Sequence, residues 1–183
     1  MEEINQKEEN PISKAWPSIV IVGLIFSLVS FVLSLFFSYQ QINSEPSGSY
    51  FSPAMLSGIV ICLITCVAGA LAVWHYTKEV SGYLTLGQGA LIGFLTGAAI
   101  VLFSVIMNEL WQLFDPDFTE KLIEATIANV EAMDLPAETK NDMIDSMAAG
   151  VRDQQSILQQ LFWGIPITGL LNLISGMIGV KLF

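Results

Sequence analysis

The side chains that most often carry protein chemistry are few in this chain. The single histidine, His75, lies between Trp74 and Tyr76, and the two cysteines, Cys62 and Cys66, are four residues apart. A catalytic histidine needs a neighbouring reactive group, and a zinc site needs three or four ligands. Because the sequence places no such partners nearby, we expect His75 to be a polar side chain at a membrane interface and the cysteines to serve packing.

Sequence motifs of the common enzyme classes are missing. The chain has no HExxH, no GxSxG and no glycine loop of the phosphate-binding kind. The sequence therefore predicts a protein that is not an enzyme. We expect no catalytic residue, no metal site and no cofactor.

Three polar residues within or beside apolar segments are the best candidates for a functional site. Asn108 and Glu109 end one apolar segment, and Asn172 lies inside another. Polar groups in membrane segments often mark ion or substrate paths. The alternative is a structural role, in which Asn172 finds a hydrogen-bond partner on another helix and Glu109 lies at headgroup depth. We favour the structural role and keep a transport path as the alternative.

The positions of the charged residues indicate which elements hold these candidates. Only 13% of residues are charged, against about 25% in ordinary soluble proteins. Four segments lack charged residues entirely: Trp16–Gln41, Pro53–Thr77, Leu84–Asn108 and Ile157–Val180. Each is long enough to cross a bilayer, where the backbone must satisfy its own hydrogen bonds as a helix. The sequence predicts four transmembrane helices, at about 16–39, 53–76, 84–113 and 157–182.

Small residues recur at helical spacing within these segments. The third contains Gly89, Gly93 and Gly97, and the fourth contains Gly176 and Gly179. Glycine is common in membrane helices in general, but at this spacing it lets two helix backbones approach closely. We therefore predict an all-α, integral membrane four-helix bundle. It forms a single membrane domain, 15–183, after a disordered cytoplasmic tail, 1–14.

Basic residues near the helix ends predict the orientation. Lys7, Lys14, Lys78 and Lys181 fall on one side of the predicted bundle, and the first loop on the other side has none. Lysine and arginine in short loops favour the cytoplasm. We expect both termini to be cytoplasmic.

The segment between the last two spans, 115–153, has a different composition. It holds ten acidic and three basic residues, which accounts for most of the net charge of −10. Apolar residues at helical spacing predict two amphipathic helices, the first capped by Asp115 and separated from the second at Leu135-Pro136. Their apolar faces can pack against each other and the bundle, or bind a protein partner, or lie on lipid. The acidity argues against nucleic acid and anionic lipid.

Two stretches of sequence resemble a known family. GYLTLGQGALIGFLTG (Gly82–Gly97) and DPDFTEKLIEATIANVEAM (Asp115–Met133) are similar to the bacterial membrane family labelled domain of unknown function 4199. The resemblance implies four spans with an acidic helical insertion before the last, and a location in the bacterial cytoplasmic membrane. It implies no catalytic residues.

Together these observations predict a multi-pass membrane protein with a structural role, or one that binds a partner through the acidic segment 115–153. The expected partners are the lipid bilayer and either another protein or a second copy of the chain, and not nucleic acid. The alternative is a small transporter or channel subunit with Asn108, Glu109 and Asn172 near its path.

Overall fold

The computed structural model describes residues 11–49, 51–80, 82–153 and 156–183, and these ranges contain helices and no strand. The helices are α1 (Pro11–Asn43), α2 (Pro53–Thr65), α3 (Ala68–Glu79), α4 (Leu86–Phe114), α5 (Phe118–Glu131), α6 (Ala137–Asp153) and α7 (Ile157–Leu182). Of the predicted tail, residues 1–10 lie outside the described ranges, and residues 11–14 belong to α1.

Four helical spans are long and apolar enough to cross a membrane, which indicates a membrane protein. They are Ser13–Asn43, Met55–Glu79, Leu86–Phe114 and Ile157–Leu182. The first is longer than predicted, because α1 contains 33 residues, or about 50 Å of helix. The hydrocarbon core is only about 30 Å thick, so α1 extends beyond it and its last turns reach α5.

The second span is broken, whereas the sequence predicts one continuous helix. The break separates α2 from α3 at Cys66 and Val67, and no proline causes it. Just before the break, the Thr65 hydroxyl donates to the carbonyl of Ile61 at 2.9 Å. Such bonds from threonine to its own helix bend helices, and side chains of α7 complete the break, as described below.

The break changes how the second span packs. On one side of it, α3 packs against α7, α4 and α1; on the other, the main contact of α2 is with α1. We call the end of the spans that contains α3 the α3 half, and the end that contains α2 the α2 half. The buried apolar cluster, which includes Ile19, Val73, Tyr76 and Ile92, lies in the α3 half.

The acidic segment forms α5 and α6, which pack against each other, and α5 also packs against α1. Val130 and Met133 are its buried apolar side chains. Helix α6 continues through Gly150 to Asp153. No side chain among residues 137–150 is fully buried.

Candidate functional site

Asn172 joins α7 to the broken second span. Its side chain is completely buried, at 0% exposed, and its Oδ1 accepts a hydrogen bond from the Gly69 N–H at 2.7 Å. Its Nδ2 donates to the Thr168 carbonyl at 2.9 Å. One residue further along α3, the Ala70 N–H donates to Ser175 Oγ at 3.0 Å.

These bonds satisfy backbone groups that the break exposes. Gly69 and Ala70 lie in the first turn of α3, where N–H groups have no acceptor in their own helix. Hydrocarbon offers no water to replace the missing acceptor, so an unsatisfied group there costs several kcal/mol. Helix α7 therefore caps α3 from outside, and we call this arrangement the Asn172 cap.

The glycines singled out from the sequence lie at helix contacts around this cap. A Cβ atom at Gly93 would collide with the Asn172 carbonyl, and one at Gly97 would lie 2.6 Å from the Thr168 carbonyl. A Cβ at Gly179 would lie 2.9 Å from the Cα of Ala70. Gly89 and Gly176 likewise would each collide with the backbone of the other. At these positions α7 touches α4 and α3 backbone to backbone, which any side chain would prevent.

Asn108 and Glu109 lie elsewhere. Asn108 is exposed and Glu109 is half-buried, near the end of α4. Asn172 is level with Gly93, and the fifteen residues from Gly93 to Asn108 correspond to about 22 Å of helix. The structure therefore does not bring the three polar candidates into one site.

A cavity of about 580 Å³ lies in the α2 half, between α1, α2, α4 and α7, and Gly150 of α6 also lines it. The cavity is present because α2 packs mainly against α1, whereas α4 and α7 pack against each other. Its polar lining consists of the side chains of Ser30, Thr65, Ser104, Gln159, Gln160 and Thr168. Its apolar lining includes Ile61, Ile100, Val101, Trp163 and Ile167. No Asp, Glu, Lys or Arg is among the described residues that line it.

Ser30 is the unusual member of this lining. Its side chain is 6% exposed, and its Oγ has no hydrogen-bond partner among the described residues. Two other buried hydroxyls in the spans bond to their own helix: Ser27 donates to the Leu24 carbonyl and Thr96 to the Ile92 carbonyl. Sequence reasoning missed this site because the cavity depends on the unpredicted break in the second span.

The match to a family model decides how the chain is classified. The model of the family described as a protein of unknown function, DUF4199, matches residues 20–181. The chain belongs to DUF4199. The matched region includes all but the first few residues of the four spans. No curated protein and no solved structure matches the chain.

In this DUF4199 protein a second buried asparagine, Asn129, holds α5 on the loop between α1 and α2. Its Oδ1 accepts the N–H groups of Ser47 and Gly48, each at 3.2 Å, and its Nδ2 donates to the Ser49 carbonyl at 3.1 Å. Gly48 has a φ of 64°, and a Cβ there would lie 2.5 Å from the Ala132 carbonyl. The loop and α5 therefore fit together closely. Sequence reasoning missed Asn129 because its partners lie about eighty residues away.

Asp115 has a different role from the predicted helix cap. The structure begins α5 at Phe118, and the carboxylate of Asp115 bonds to side chains instead. Its Oδ2 accepts from the Tyr39 hydroxyl at 2.6 Å and its Oδ1 from the Lys121 ammonium at 2.8 Å. The bond from Lys121 lowers the pKa of Asp115, and the same bond raises the pKa of Lys121. Asp115 thus ties the end of α1 to α5.

His75 has a polar contact with Ser18. Its Nδ1 lies 2.9 Å from the hydroxyl oxygen of Ser18, which is buried. Cys62 and Cys66 are free thiols. Within the described ranges, no three His, Cys, Asp or Glu residues lie close enough together to hold a metal ion.

Proposed function

We propose that this DUF4199 protein is a non-enzymatic, four-helix bundle of the bacterial cytoplasmic membrane that binds a basic protein partner. Both termini lie in the cytoplasm, and the partner binds α6 on the other side of the membrane. The observation that carries the proposal is the difference between α5, which is fixed to the bundle, and α6, which is presented to solvent.

The attachment of α5 supports this division of roles. Asn129 bonds to the loop between α1 and α2, and Asp115 bonds to Tyr39 of α1. Val130 and Met133 are buried beneath the helix. An anchored α5 gives α6 a fixed platform, which reduces the ordering that a partner must impose on binding.

The exposure of α6 supports a binding role. Met143 and Ile144 are half-buried, and Met147 is 38% exposed. Methionine is flexible and polarisable, and it is frequent on helices that bind in apolar grooves. The apolar stripe of α6 therefore offers a surface that its own fold covers only in part.

The charge around this stripe selects the partner. Glu138, Asp142 and Asp145 are exposed, while the Lys140 ammonium donates to the carbonyl of Glu131 at the end of α5. These three exposed side chains are acidic, and complementary charge raises association rates and excludes wrong partners. A basic protein surface meets this condition, whereas anionic lipid and nucleic acid do not.

The transport alternative gains no specific support from this arrangement. It requires Asn108, Glu109 and Asn172 near one route. Asn172 instead uses its amide to cap α3, and the other two lie at the far end of α4.

Photocrosslinking in intact membranes tests the proposal. A photoreactive residue at Asp142 is expected to capture another protein, and one at Glu79, at the other end of the spans, is the control. The double change Glu138→Lys and Asp142→Lys should lower binding of the captured protein several-fold. The matched control changes two exposed acids of α5, Glu120→Lys and Glu124→Lys. Only intramolecular products from position 142, or equal effects of both double variants, would show that α6 is not the docking surface.

Thiol labelling tests the orientation separately. In a background with Cys62→Ala and Cys66→Ala, single cysteines replace Ser146 or Glu79. A membrane-impermeant maleimide should label position 146 in intact cells and position 79 only after permeabilisation. The reverse pattern would place the acidic segment in the cytoplasm and overturn the assigned orientation.

A further inference from the structure

The cavity in the α2 half has the size and access of a ligand site open to the membrane. Its volume of about 580 Å³ lies within the range of small-molecule pockets, about 300–1,000 Å³. Packing of α1 on α2, of α1 on α4, and of α4 on α7 closes three sides. The remaining side lies between α2 and α7, so that an occupant would enter from the lipid.

Ser30 gives this cavity a polar group that needs a partner. Ser30 is one of the residues that line the cavity, and its hydroxyl is buried and has no hydrogen-bond partner among the described residues. A buried hydroxyl without a partner is unfavourable in an apolar environment. Ser27, one turn earlier on the same helix, avoids this by donating to the Leu24 carbonyl.

The rest of the lining limits the chemistry of the occupant. Ile61, Ile100 and Ile167 suit an apolar chain. No charged side chain is present among the described lining residues, and Ser30 and Ile100 lie near the middle of their spans. A carboxylate, phosphate or ammonium group at that depth would have no counter-charge.

We propose that the cavity binds an uncharged amphiphile that carries a carbonyl group, and that the Ser30 hydroxyl donates a hydrogen bond to this carbonyl. The apolar chain of the ligand lies against the isoleucines and extends to the lipid between α2 and α7. An acyl ester and a quinone ring both supply such a carbonyl. The α6 side chains assigned to the protein partner do not line this site, so that either proposal can fail without the other.

Binding to the purified protein in detergent, followed by native mass spectrometry, tests the chemistry. The probes are monooleoylglycerol, which has an ester carbonyl, and decylubiquinone, which has ring carbonyls. Oleate and octadecene are the controls, one charged and one without a carbonyl. Binding of either carbonyl probe at least about tenfold tighter than both controls supports the proposal. The probe that binds more tightly shows whether the carbonyl comes from an acyl ester or from a quinone ring. Equal binding of octadecene, or no binding of either carbonyl probe, overturns it.

Two serine variants test the role of Ser30. Ser30→Ala should weaken binding of the preferred probe about fivefold, the usual effect of one lost hydrogen bond. Ser27→Ala, on the same helix with its hydroxyl already bonded, should leave binding unchanged. Without a probe, the melting temperature of the Ser30→Ala variant should be no lower than that of the unmodified protein, because the substitution removes an unpaired hydroxyl. Unchanged affinity in Ser30→Ala, or capture of another protein's helix by a crosslinker at Ile61, would overturn the assignment.

Discussion

The α3 half and the α2 half are built from the same four spans but pack in different ways. In the α3 half the helix backbones touch at glycines. The Asn172 cap there accepts the hydrogen bond of the Gly69 N–H, which the break in the second span leaves without an acceptor in its own helix. In the α2 half the helices diverge around a cavity, and a buried hydroxyl is left without a partner among the described residues. One backbone break therefore lets a small membrane domain combine a tightly packed end with an open one.

The largest effect is expected where α4 and α7 touch. Gly93→Ala places a Cβ against the Asn172 carbonyl, and backbone cannot move aside as a side chain can. We expect a loss of about 3 kcal/mol in the free energy of unfolding, the upper range for overpacking. Gly87→Ala, on the same helix with nothing within 4 Å of its Cβ position, should be neutral or slightly stabilising. Unfolding in detergent mixtures measures both, and similar losses would show that the two glycines do not differ in packing.

Removing the Asn172 cap should have the next largest effect. Asn172→Leu leaves the Gly69 N–H without an acceptor in a dry environment, with an expected loss of about 2 kcal/mol. Asn108→Leu serves as the control, because Asn108 is exposed at the end of α4. The same unfolding measurement compares them. Equal stability of Asn172→Leu and the unmodified protein would mean that the cap does not stabilise the α3 half.

Removing the other buried asparagine, Asn129, should lower the free energy of unfolding by less. Asn129→Ala frees the N–H groups of Ser47 and Gly48, but water can replace the lost acceptor, so we expect about 1 kcal/mol. Hydrogen exchange should speed up in the loop between α1 and α2 and in α5, while the α3 half stays protected. Asn141→Ala, at an exposed position of α6, is the control. Faster exchange in the α3 half would show that the stability of this half depends on the contact between α5 and the loop.

The smallest effect is a pH dependence at Asp115. Because its pKa is lowered, its contribution is present above the ordinary aspartate value of about 3.9 and is lost as the pH falls through the lowered value. The raised pKa of Lys121 gives a contribution that is present below about 10.4 and lost as the pH rises through the raised value. The protection factors of the α5 amides, which are corrected for the intrinsic pH dependence of exchange, should therefore fall at both extremes and stay level between them. Asp115→Asn should remove the acid response, and Asp117→Asn should not.

The sequence predicted what depends on local composition. Segments without charge identified the four spans, and glycine spacing singled out positions where α4 and α7 touch. The break at Cys66 and Val67 was not predictable, because no proline or glycine pair marks it. It depends on Asn172, more than a hundred residues away in the chain. The roles of Asp115 and Asn129 were missed for the same reason, since each bonds to a residue that only the tertiary fold brings near.

The Asn172 cap also bears on the order in which the spans assemble. Helix α3 precedes α7 in the chain, so its first turn enters the membrane before its acceptors do. Until α7 arrives, the N–H groups of Gly69 and Ala70 lack the side chains that accept from them in the folded protein. The folded shape of the second span therefore depends on acceptors that only the later helix α7 supplies.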